Sequence, residues 1–193
     1  MLRRSITSGS DFLEVALANP LNVELCARLG RHGLPQCHLV AGCLYQAVWN
    51  TLSGQAADFG IKDYDVFYYD EDLSWEAEDA VIRQVHRETR DLNVEVEVKN
   101  QARVHVWYEQ HVGYPQRAFR SVQDSIGSYL VACTCIGVDV QSGALHAPYG
   151  FDDLTGGLLR KNPRYAVPEQ LFRSKAASYL ARWPWLRVAD EGI

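Results

Sequence analysis

The sequence predicts a mixed domain, α/β or α+β, and three observations carry that expectation. Runs with helical apolar spacing and runs with two-residue alternation are interleaved along the chain. Of the 193 residues, 47% are hydrophobic, enough for one sizeable core. No repeat, low-complexity stretch or linker breaks the sequence, so residues 1–193 are expected to form a single domain. Its core is placed at about 20–165, with a helical C-terminal extension over 166–193.

The opening MLRRSITSGS has arginines but no apolar secretory core, and is expected to fray. Asn19-Pro20 before LNVELCARLG predicts a helix: a capping residue, proline in the first turn, apolar spacing and Gly30 as terminator. QCHLVAG fits a short buried strand ending at Gly42. CLYQAVWNTLSG follows as a helix, with Leu44, Ala47, Val48 and Leu52 at helical spacing. GQAADFG is a loop.

IKDYDVFYYD is a strand with Tyr64, Val66 and Tyr68 on one face and Asp63, Asp65, Phe67 and Tyr69 on the other. Ser74 caps the next helix, whose first turn holds Glu76, Glu78 and Asp79 at the positive end of the dipole. Ala77, Val81 and Val85 mark its inner stripe. VEVEVK alternates cleanly, with Val94, Val96 and Val98 inward and Glu95, Glu97 and Lys99 opposite. RVHVWY is expected to continue as strand, with His105 and Trp107 on one side. A short helix near SVQDSIGSYL, a strand VACTCIGVDV, a QSG turn and another short strand follow. FDDLTGGLLR and PEQLFRSKAASYLARW are helical in pattern, and Trp183, Pro184 and Trp185 are expected to pack onto the core.

The net charge of −5 disfavours long nucleic acid and anionic membrane as partners, although a local basic patch stays open. No run reaches the ~20 apolar residues that a membrane helix needs. The five cysteines are odd in number, lack CxxC spacing and sit among apolar neighbours. They are expected to be reduced thiols of a cytoplasmic protein rather than zinc ligands.

The chemistry concentrates at Asp63 and Asp65. Residues i and i+2 of a strand project from one face about 6.5–7 Å apart, so both carboxylates can approach one cation. Burying them without a cation or hydrogen-bond donor costs several kcal/mol. A third acid from the VEVEVK strand, Glu95 or Glu97, would nearly complete an all-oxygen Mg²⁺ site, in which two metals could sit about 3.5–4 Å apart. Gly42, between strand and helix, would let a phosphate approach helix N–H groups, with Cys43 facing the nucleotide. Lys62 and Lys99 could offset phosphate charge, although alternation turns Lys62 from the aspartate face. Arg103 is a candidate phosphate contact. The bland readings are that Asp63 caps a turn, Asp65 pairs with an arginine, Gly42 is a connector and His105 is structural. Tyr45 and Trp49 are assigned to the core, and Asp152 and Asp153 to a helix dipole.

LVAG, a helix, KDYDVFYYD and then VEVEVKNQARVHVWY resemble the nucleotidyltransferase superfamily that includes DNA polymerase beta and the antibiotic nucleotidyltransferases. GCLYQAVWN, IKDYD, DLSWEAED, NQARVHVWY and PYGFDDL resemble, more closely, a bacterial family of minimal nucleotidyltransferases, over roughly residues 25–165. The resemblance implies an α+β fold, a mixed β-sheet flanked by helices. It implies Gly42 and Cys43 at a phosphate turn, Asp63 and Asp65 as metal ligands, and a third ligand directly before the K-N-Q-A-R-V-H block. That position favours Glu97 over Glu95. The implied activity is Mg²⁺-dependent transfer of an NMP group from an NTP, with ATP favoured, onto an acceptor, releasing pyrophosphate. A small molecule, a protein side chain or an RNA end would serve as acceptor. Two features depart from the pattern: Cys43 stands where a small hydroxyl or glycine is usual, and the interval from Gly42 to Asp63 is long. The first keeps open a catalytically silent nucleotide- or partner-binding protein of the same fold. A hydrolase using the acid pair on phosphodiesters is a third reading.

Overall fold

The computed structural model describes residues 6–189. Helix α1 (Gly9–Ala16) starts at a reciprocal cap: Asp11 N–H donates to Ser8 Oγ, and the Asp11 carboxylate accepts from Ser8 N–H at 3.0 Å. The expected fraying is therefore corrected for residues 6–10, where Ile6 is also buried in the core. Residues 1–5 of that stretch lie outside the described residues.

Asn19 caps α2 (Pro20–Leu29), and β1 (His38–Val40) leads through Ala41 into α3 (Gly42–Ser53). Strand β2 (Asp63–Tyr68) follows, then α4 (Trp75–Thr89), capped by Ser74, and β3 (Glu95–Asn100). The five-stranded sheet runs β3-β2-β1-β4-β5, where β4 is Gly137–Asp139 and β5 Leu145–His146. Strands β2 and β3 pair in parallel, and the other pairs of this sheet are antiparallel. A parallel pair requires a crossover, which α4 supplies.

Three sequence expectations fail for local reasons. RVHVWY is not strand: it forms most of α5 (Val104–Val112). The Asn100 side chain accepts N–H bonds from Asp70 and Ala102, which ends β3 and turns the chain through a 3₁₀ turn into the helix. After α6 (Val122–Ile126), VACTCIGVDV contributes only β4. Its first half is a 3₁₀ turn in which Thr134 Oγ donates to Val131 O at 2.8 Å. FDDLTGGLLR splits into α7 (Asp152–Thr155) and β6 (Leu158–Leu159), because Gly157 takes a positive φ of 67° between them.

Helix α8 (Glu169–Arg182) and β7 (Arg187–Val188) are the last elements among the described residues, with β7 parallel to β6. The segment 166–189 is built into the core rather than appended to it. Phe172, Ala176, Tyr179 and Trp183 join the same buried cluster as Leu39, Leu44, Trp49 and Val66. Trp183 Nε1 donates to Asn50 Oδ1 at 2.9 Å, and the Tyr45 and Tyr179 hydroxyls meet at 2.6 Å. Cys26, Cys37, Cys43, Cys133 and Cys135 are free thiols, and all but Cys26 are buried.

Candidate active site

Burial along β2 alternates, with Tyr64, Val66 and Tyr68 in the core and Asp63, Asp65 and Phe67 on the opposite, partly open face. Strand β3 alternates in phase, burying Val96 and Val98 and leaving Glu95, Glu97 and Lys99 outward. The parallel register sets Asp63 opposite Glu95, Asp65 opposite Glu97 and Phe67 opposite Lys99. Backbones of paired strands lie ~4.8 Å apart. Acidic groups from two strands are thus neighbours on one face.

Burial is the main reason that the Asp65 carboxyl is pushed up to about 6. The negative fields of Asp63 and Glu97 push the same way, and Lys99 opposes them. Burial works against the charge on Lys99. Its bond to Glu97 at 2.5 Å and the fields of Asp65, Glu97 and Asp63 outweigh that cost and hold its pKa above the usual lysine value. Lys99 is thus a cation that offsets the acids, with Lys175 adding to its effect at Asp65.

Among the described residues, no three His, Cys, Asp or Glu side chains gather tightly enough to hold a metal ion as they stand. In this arrangement Glu97 is held by Lys99. In donor chemistry the three acids still suit a hard divalent cation. The negative fields of Asp63 and Glu97 at Asp65, opposed by Lys99 and Lys175, suit the same cation.

A cavity of about 310 Å³ opens beside Asp65 and Lys99. Ala41, at the N-cap of α3, lines it with φ +62° and ψ −133°, a conformation that costs a non-glycine residue ~1–3 kcal/mol. Such strain collects where backbone placement serves a site. Val40 pairs with Asp65, which brings the amino end of α3 beside the acids. An added Cβ at Gly42 would lie 2.5 Å from Gln46 Nε2, so a side chain there would displace the end of Gln46.

A family model described as Nucleotidyltransferase matches residues 27–188. The chain belongs to this nucleotidyltransferase family. Its chemistry, at the coarse level, is that of an NTP-using transferase. An NMR structure described as a CCA-adding enzyme head domain is similar in fold, with TM-score 0.77 and 22% identity over 96% of this chain and 97% of that one. The Thermotoga maritima CCA-adding enzyme complexed with tRNA_CCA gives TM-score 0.56 and 13% identity, over 93% of this chain and 42% of that one. No curated protein matches the chain.

Other residues expected at the nucleotidyltransferase site are placed elsewhere. The Cys43 side chain does not face a nucleotide: it is fully buried and its thiol donates to Val40 O at 3.3 Å. Only its backbone N–H remains to offer. Arg103 is likewise removed from phosphate duty. It is buried against the Glu78 carboxylate, donates to Leu73 O at 3.3 Å and lies 5.6 Å over the Trp75 ring. Lys62 is exposed just before β2 and does not line the cavity. His105 and Trp107 ride on α5, and Trp107 forms part of the cavity wall. Sequence reasoning missed Tyr129, Phe119, Lys175 and Tyr179, which reach the cavity from three distant segments with no shared motif.

Proposed function

We propose that the nucleotidyltransferase moves an NMP group from an NTP, with ATP favoured, onto an acceptor hydroxyl in a Mg²⁺-dependent reaction. The acceptor oxygen attacks the α-phosphorus and forms the new P–O bond. The bond to the β-bridging oxygen breaks, pyrophosphate leaves with that electron pair, and the acceptor proton passes to water. Asp63, Asp65 and Glu97 are the residues that would hold the metal. Bound there, Mg²⁺ would align the phosphates and offset their charge. Lys99 meets phosphate charge at the same edge, while the backbone N–H groups of Gly42 and Cys43 offer donors at the amino end of α3. The single observation that supports this reading most is the direct register of Asp65 with Glu97 beside the cavity. That register also favours Glu97 over Glu95, which is exposed at the strand's start. Reduced thiols and the lack, among the described residues, of a helix long and apolar enough to cross a membrane suit a cytoplasmic setting.

Pyrophosphate release from ATP and Mg²⁺ over a panel of acceptors tests the reading. Asp65→Asn and Glu97→Gln are expected to lose at least about a hundredfold of that release with circular dichroism unchanged, whereas Glu95→Gln keeps it. Full turnover in Asp65→Asn overturns the assignment. The buried Cys43, with no hydroxyl at the phosphate turn, favours a second reading as a silent nucleotide-binding protein. Calorimetric binding of ATP without release, across the whole panel, would establish it.

A further inference from the structure

We infer, on the basis of the transferase reading above, that the aromatic wall of the cavity is the acceptor subsite, and that the acceptor is a small uncharged molecule carrying a ring and a hydroxyl group. At about 310 Å³ the cavity lies at the small end of the ~300–1,000 Å³ range of small-molecule sites. Its lining joins Asp65 and Lys99 to an aromatic wall of Phe67, Trp107, Tyr108, Phe119 and Tyr129, with Phe67 in direct register with Lys99.

The lining lysines are Lys99, which is held by Glu97, and Lys175, which lies 5.6 Å over the Tyr179 ring. Arg117, 5.5 Å over the Phe119 ring, is paired with Asp124. A polyphosphate or an RNA backbone entering the cavity would find little uncommitted positive charge to replace its hydration.

A nucleobase would meet a second obstacle. Its edge carries several donors and acceptors, and most of the polar side chains in the wall are already engaged with the protein. Ser125 Oγ donates to Gln101 Oε1 at 2.5 Å, and Gln101 Nε2 donates to Lys99 O at 3.3 Å. Ser128 Oγ donates to Ser125 O, Thr134 Oγ to Val131 O and Gln116 Nε2 to Arg117 O. The Tyr129 hydroxyl is different: it is buried without a hydrogen-bond partner, while its ring meets Phe67 edge-on at 6.2 Å. An orphaned buried hydroxyl on a cavity wall awaits one polar group from a ligand. A ring with a hydroxyl supplies that group and matches the apolar remainder. It would present its oxygen near Asp65, where the proposed transfer occurs.

The test uses the full chain without NTP or metal, so that its result is independent of turnover in the Asp65 variants. Binding of 2-phenylethanol and of ethylbenzene is followed by NMR in the wild type, Tyr129→Phe and Trp107→Leu. Both probes are expected to perturb the Trp107 and Tyr129 signals, and Trp107→Leu is expected to weaken both. In Tyr129→Phe the preference for the alcohol over ethylbenzene is expected to fall about fivefold or more. Tyr129→Phe is also expected to melt no lower than the wild type, because it deletes an unpaired buried hydroxyl. An unchanged probe ratio in that variant, perturbations confined to other surfaces, or displacement of 2-phenylethanol by AMP would overturn the inference.

Discussion

At Asp65 the fold keeps a carboxyl whose neutral form is favoured, first by burial and then by Asp63 and Glu97. Its pKa rises from the ordinary 3.8 to about 6, so the folded state holds its proton more tightly than the unfolded chain. The folded state therefore loses stability as pH climbs from 3.8 through about 6. Asp65→Asn removes that penalty. At pH 7–8 the variant is expected to be more stable than the wild type by ~1–3 kcal/mol, a few degrees in Tm, and to match it near pH 3. Mg²⁺ should raise the wild-type Tm and leave that of the variant unmoved. Thermal melts across pH, with and without Mg²⁺, check both outcomes. That Asp63, Asp65, Glu95 and Glu97 lie on one sheet face was legible in IKDYDVFYYD and VEVEVK, because alternation alone fixes which side chains of a strand share a face. The bond that diverts Glu97 to Lys99 was not, since alternation says nothing about which partner a side chain chooses.

Between β3 and α5 a buried polar knot turns the chain. Glu78 accepts from Asn100 N–H at 2.8 Å and pairs with Arg103, while Asn100 Nδ2 donates to Asp70 O at 2.8 Å. The knot ends the strand and starts the helix that carries Trp107 and Tyr108 to the cavity. Arg103 acts here as a structural cation. Arg103→Ala is expected to cost ~3–5 kcal/mol in urea unfolding, because it strands the Glu78 charge. A phosphate contact would instead leave stability intact and weaken NTP binding. The RVHVWY pattern misleads for the same reason: its β-branched and aromatic residues suit a strand, but Asn100 and Glu78 impose the turn from outside the segment.

Across the whole molecule, the last helix closes both core and cavity. Trp183 is buried, lies 5.1 Å from Trp49 and hydrogen-bonds Asn50 on α3. Trp183→Ala is expected to cost ~3–5 kcal/mol by chemical denaturation, through lost packing and the cavity left behind. It should also loosen the wall that α8 supplies through Tyr179 and Lys175. The sequence by itself determined the mixed fold, the two acidic strands and the glycine entry to α3, because periodicity and turn chemistry act over a few neighbouring residues. Tertiary structure alone decided that Cys43 and Arg103 are spent on the core, that Lys99 holds Glu97, and that Trp107, Tyr129 and Tyr179 face one cavity. Those outcomes depend on packing between distant segments, and no local pattern encodes which residues packing brings together.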